Sequence, residues 1–117
     1  MNKTEIISGN NFKNRTFGQL VFNFRKTLNL TQEDFGKLIM ISRVTTLNIE
    51  KLEDVKELSD DLLFRLNHLS YRLMTNENFD DLVKFSAEKV YNITYVSICE
   101  RITNNIDNQA LKIFIKN

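Results

Sequence analysis

The sequence has no proline and no tryptophan, three glycines (Gly9, Gly18 and Gly36), one cysteine (Cys99) and one histidine (His68) among 117 residues. Each shortage excludes something. A sheet-rich domain of this length needs more turn residues, so an all-α fold is expected. Three scattered glycines cannot build a glycine-rich phosphate loop. A lone cysteine excludes an intramolecular disulfide and a cysteine-based metal cluster, and Cys99 is expected to be a small buried hydrophobe. A lone histidine leaves little for a histidine-rich metal site or a histidine-dependent hydrolase. His68 lies between Leu66 and Leu69 and is expected to pack there, partly buried. No apolar run is long enough to span a bilayer, and no N-terminal stretch reads as a signal peptide, so the expected compartment is the cytoplasm.

What is present is ordinary for a globular chain, with 42% apolar and 26% charged residues. The length suits one domain with a modest core. Net charge is only +1. Residues 1–52, however, hold eight Lys/Arg against four Asp/Glu, whereas residues 53–107 hold six against eleven. Lys112 and Lys116 close the chain. A basic first half is therefore followed by an acidic section, which suggests two different jobs.

Residues 1–15 are polar, asparagine-rich and without periodicity after Ile6-Ile7, and are expected to form a flexible tail. Thr16 and Gln19 then make a capping-box pattern. Phe17, Leu20, Val21, Phe24 and Leu28 fall on one helical face over about 17–28, and Asn29 can end it. Thr31 caps a second short helix of about 32–39, with Phe35, Leu38 and Ile39 as its apolar face. Ser42 caps a third of about 43–51. A charged connection (Glu53, Asp54, Lys56, Glu57) leads to a fourth helix capped by Ser59, with Leu62, Leu66, Leu69 and Leu73 as its stripe. Asp80-Asp81 reads as another helix start, with Phe79, Leu82, Val83, Ser86 and Val90 along the fifth helix. Ile93–Ile98 is β-branched enough for a strand, yet Tyr95, Ile98, Cys99, Ile102 and Ile106 also fit a helical stripe, which is the preferred reading because a lone strand has no partner. Leu111, Phe114 and Ile115 continue at helical spacing. The domain division expected is a tail at 1–15, a helical unit at 16–74 and an extension at 75–117.

Two short amphipathic helices separated by two or three residues form a helix-turn-helix pattern. The stretch Leu30-Thr-Gln-Glu-Asp-Phe-Gly-Lys-Leu-Ile-Met-Ile-Ser-Arg-Val-Thr-Thr-Leu-Asn-Ile-Glu50 resembles the helix-turn-helix of Cro/C1-type (lambda-repressor-like) regulators. Leu30-Thr31-Gln32 matches the opening of the family's second helix, Ile41-Ser42 the start of its third, and Ile49-Glu50 its close. Phe17-Gly18 and Arg25 match the first helix in spacing, and the resemblance covers residues 17–70. It implies a DNA-binding transcription regulator, a dimeric repressor reading a near-palindromic operator in the major groove. It also implies double-stranded DNA and a second copy as partners, no cofactor, no bound metal and no catalytic role.

Carried over by position, the resemblance implies base contacts for Ser42, Arg43, Val44 and Asn48. Arg43 suits guanine O6/N7, Asn48 suits adenine N6/N7, and Val44 suits a thymine methyl. Gln32 and Lys51 fall at phosphate-contacting positions. Arg25 and Glu50 match a structural ion pair joining the first helix to the third. The chain departs from the pattern in places. Met40 stands where a turn glycine is usual. Thr46 replaces an apolar core residue and Leu47 is apolar where a polar residue is common, so a small rotation of the third helix would exchange their exposure.

Residues 77–117 lie outside the resemblance and carry Phe79, Phe85, Val90, Tyr91, Tyr95, Val96, Ile98, Ile102, Ile113 and Phe114, more apolar surface than two short helices hide. They are expected to complete the core and form a homodimer. Two other functions fit the same residues. One is an antitoxin-like autoregulator whose C-terminal half holds a partner protein. The other is a protein-interaction module that has lost DNA binding.

Overall fold

The computed structural model describes residues 15–116, with side chains through Gln109, so the tail expected at 1–15 lies almost wholly outside the described residues. Five helices follow in order: α1 (Phe17–Thr27), α2 (Gln32–Leu38), α3 (Arg43–Glu50), α4 (Asp60–Met74) and α5 (Asp81–Lys116), with one 3₁₀ turn at Val55–Glu57 between α3 and α4. The described residues contain no strand, and the fold is an all-α bundle. No helix is long and apolar enough to cross a membrane.

Each start obeys the capping chemistry visible in the sequence. Thr16 accepts from the Gln19 amide at 3.1 Å while Gln19 Oε1 accepts from the Thr16 amide at 3.0 Å, closing a capping box. Thr31, Ser42 and Ser59 cap α2, α3 and α4 by accepting from the amides of Asp34, Thr45 and Leu62, without the reciprocal bond. Asp80 Oδ1 accepts from the Val83 amide at 3.0 Å, so the acid pair before α5 is indeed a helix start. The charged connection contains an element not expected from sequence. Asp54 and Glu57 form a second capping box around the 3₁₀ turn.

The ends of α1 and α2 share one solution. Asn29 (φ 58°) and Met40 (φ 62°) both adopt left-handed backbone. After α2, the Ile41 amide reaches Gly36 O at 2.9 Å and the Met40 amide reaches Lys37 O at 3.4 Å, which is the double bond of a Schellman cap. Left-handed backbone is unfavourable for a residue with a Cβ, and Met40 is the residue that bears it here.

The core gathers Phe17, Val21 and Phe24 of α1, Phe35 and Ile39 around α2, Ile49 of α3, Leu58, Leu63, Leu66 and Leu69 around α4, and Ala87 and Val90 of α5. Phe24 and Phe35 meet edge to face at 5.8 Å, an arrangement the ring quadrupoles favour. On α4 the buried face is Leu63, Leu66, Leu69 and Ser70, with Leu62 and Leu73 at its margin, a rotation from the expected stripe. His68 is exposed rather than partly buried, because it falls outside that face.

The C-terminal half differs most from expectation. The fifth helix, the ambiguous segment and the terminal segment form one helix of 36 residues. Asn92 does not interrupt it, and the strand alternative for Ile93–Ile98 does not occur. Half of this helix belongs to the core. Val83, Ser86, Ala87, Val90, Thr94 and Ser97 are buried against α4 and α1. Polar links seal the seam: Thr27 Oγ1 lies 2.9 Å from Ser86 Oγ, and Asn67 Nδ2 donates to Thr94 Oγ1 at 3.1 Å. The last hydrogen-bonded tie among the described residues is Arg101, which donates to Asp60 Oδ1 at 2.6 Å and to Val55 O at 3.1 Å. Beyond it, residues 102–109 are all exposed. Cys99 is exposed as well, on the face of α5 turned away from α4. The molecule is accordingly elongated, 63 × 32 × 30 Å.

Candidate nucleic-acid interface

The arrangement of α2 and α3 begins with a glycine. A Cβ on Gly36 would sit 2.6 Å from Ile41 O, 2.9 Å from Thr46 Oγ1 and 3.3 Å from Ser42 O. Only a hydrogen at this position lets the turn fold back onto α2, and that closeness outweighs the roughly 1 kcal/mol that glycine costs a helix interior. Gly18 does the equivalent for α1. A Cβ there would collide with the Glu50 carbonyl and lie 2.9 Å from Leu52 O. The first turn of α1 thereby donates to the chain just after α3, with Gly18 N to Leu52 O at 2.9 Å and Phe17 N to Glu53 O at 3.2 Å.

The rotation of α3 follows from Thr46 and Ile49, which are the two buried residues of this helix. Thr46 is wholly buried because its hydroxyl donates to Ser42 O at 3.2 Å, so a polar residue occupies the core face without an unmet hydrogen bond. Leu47 stays at the margin. Thr46 therefore keeps the inward position, and the outward face of α3 presents Ser42, Arg43, Val44 and Asn48, with Lys51 at its C-cap, all exposed. Ser42 is partly committed: its hydroxyl accepts from the Thr45 amide at 3.1 Å and lies 3.0 Å from Thr45 Oγ1.

An ion pair fixes the far end of α3. Arg25 donates to both Glu50 oxygens, and its Nη1 donates to Leu30 O at 2.8 Å. The two side chains are 8% and 5% exposed. Gln32 Nε2 donates to Glu50 Oε1 at 3.1 Å. One carboxylate therefore gathers α1, the α1–α2 link, α2 and α3. Gln32, expected at a phosphate, spends one N–H on this cluster and retains the other.

One contributor was missed in the sequence. Arg65 of α4 donates from Nη1 to Ile39 O at 2.8 Å and to Met40 O at 3.2 Å. It also pairs with Asp61 at 3.0 Å. It fastens the carbonyls of the tight turn, and nothing in its own neighbourhood of sequence announces contact with residues 25 positions away.

No family model, no curated protein and no solved structure matches the chain.

Proposed function

We propose that the chain is a sequence-specific DNA-binding regulator, acting in pairs as a repressor, with α3 as the helix that enters the major groove. One observation carries this reading. α3 is anchored on one side by Thr46 and Ile49, while its other side offers Arg43, Val44 and Asn48 to solvent directly after a tight turn. The Arg43 side chain makes no hydrogen bond or ion pair among the described residues. The basic N-terminal half supplies salt-dependent attraction to phosphates. Lys51 and the remaining N–H of Gln32 flank α3 and suit phosphate contacts. In this reading no catalytic group or cofactor takes part.

The interaction-module reading rests on the weak net charge of +1, on Met40 and on the Thr46/Leu47 exchange. Met40 takes the backbone a turn glycine would take, and Thr46 takes the core position, so neither feature spoils the geometry of the pair. The test is selection of random DNA duplexes on the purified full chain, followed by a gel shift of the enriched duplex at low and moderate salt. Enrichment of a motif with two related half-sites is expected. Absence of any enriched or shifted duplex at either salt would defeat the proposal.

A further inference from the structure

The long helix α5 shows two faces with different fates. Val90, Thr94 and Ser97 turn into the core, and Arg101 makes the last hydrogen-bonded tie among the described residues. On another, solvent-exposed face Tyr95, Cys99, Ile102 and Ile106 recur at intervals of four, three and four, and Gln109 and Ile113 continue that spacing in the sequence. This alternation is the seam pattern of a two-stranded coiled coil. Tyr95 is 50% exposed, Ile102 51% and Ile106 58%. From residue 102 to Lys116 the helix runs for some 22 Å at ~1.5 Å per residue. These turns extend from the packed part of α5 and leave Ile102 and Ile106 in water, an apolar surface that a cover would bury.

The residues beside the seam say what kind of cover. In coiled coils, charges flanking the seam choose the partner. Between Tyr95 and Ile106 those positions are Val96, Ile98, Thr103 and Asn105, none of them charged; the first charged one is Lys112, beyond that stretch. A complementary foreign helix has nothing to read there. Two identical helices meet no like-charge repulsion, and each isoleucine can face its own counterpart.

We propose that α5 pairs in parallel and in register with α5 of a second copy through Tyr95, Cys99, Ile102 and Ile106. The choice of a parallel pair rests on the DNA-binding reading; the seam itself does not. Cys99 faces the Cys99 of the second copy, and as the only thiol in the chain it reports the register. The test uses the full chain without DNA. Sedimentation is expected to show a dimer. Copper–phenanthroline in air, with oxygen as electron acceptor, is expected to convert it into a disulfide-linked dimer, and Cys99→Ser is expected to stay dimeric but uncrosslinked. Ile102→Asp with Ile106→Asp is expected to give a monomer that still unfolds cooperatively, since both positions lie beyond Arg101, at a midpoint that no longer depends on protein concentration. A wild-type monomer at high micromolar concentration overturns the proposal, as does a dimer that survives the double aspartate variant. A dimer lost in that variant but never crosslinked through Cys99 overturns the parallel register. A crosslinked dimer that shifts no duplex upholds the seam and defeats the DNA reading, so the two failures are told apart.

Discussion

Arg25 and Glu50 close a buried ion pair between the first and third helices, with Arg25 Nε 2.6 Å from Glu50 Oε2 and Nη2 3.1 Å from Oε1. Removing one partner strands the other charge inside, which costs about 3–5 kcal/mol in buried pairs. Glu50→Leu is expected to lose that much in urea denaturation. The double variant Arg25→Met/Glu50→Leu is expected to lose clearly less than the sum of the single losses, because no charge is then left unpaired. A single-variant loss below about 1 kcal/mol, the range of exposed pairs, would show that the pair is not structural.

Gly36 gives a test of opposite appearance. In an isolated helix Gly36→Ala would be a gain of roughly 1 kcal/mol. Here the new methyl would press on Ile41 O and Thr46 Oγ1 at 2.6 and 2.9 Å, and a carbonyl in a capped turn cannot swing aside. The expected net result is a loss of about 1–3 kcal/mol, the usual cost of overpacking. Equilibrium unfolding followed by circular dichroism decides it, and a stabilised Gly36→Ala would mean that the turn yields easily.

The parts of the fold set by neighbours in sequence were legible in advance. Caps at Thr16, Thr31, Ser42 and Ser59 depend on side chains three residues from the amides they satisfy, and all four stand where expected. What depended on distant packing was not legible. The stripe on α4 turned because Leu63 meets the core from a side that periodicity alone cannot choose between Leu62 and Leu63. The segment around Ile93 is helical, as the preferred reading of its stripe had it, and burial of Val90, Thr94 and Ser97 against α4 outweighs its β-branched residues; that it joins its neighbours in one helix of 36 residues was not legible. Cys99 was expected inside because free cysteines usually are, but its place on α5 faces away from α4. At the candidate interface, the Arg25–Glu50 pair was legible only through resemblance. The grip of Arg65 on the turn left no trace in the sequence.

Met40 carries a local cost. Its φ of 62° is unfavourable for any residue with a Cβ, and its side chain is 83% exposed and so gains little from packing. Glycine at this position relieves the strain but loosens the unfolded chain. Met40→Gly is therefore expected to stabilise by up to about 1 kcal/mol, whereas Met40→Val, β-branched in left-handed backbone, is expected to destabilise. Thermal unfolding of the two variants beside the parent checks the sign. If Met40→Gly unfolds at a lower temperature than the parent, the Met40 side chain contributes packing that its exposure conceals.

Arg43 and Lys51 separate sequence reading from simple attraction. Arg43 opens α3 on its outward face and Lys51 ends it, both exposed. If Arg43 reads a guanine edge, Arg43→Ala costs about 1–3 kcal/mol on the selected duplex and relaxes preference at a single base-pair position of each half-site. If Lys51 holds a phosphate, Lys51→Ala weakens all duplexes alike and lowers the slope of log affinity against log salt by about one unit. Anisotropy titrations over a salt series, run on the selected duplex and on single-position variants, measure both quantities for each protein. Uniform weakening by Arg43→Ala would move that residue to the phosphate backbone. An unchanged salt slope in Lys51→Ala would take Lys51 out of the interface.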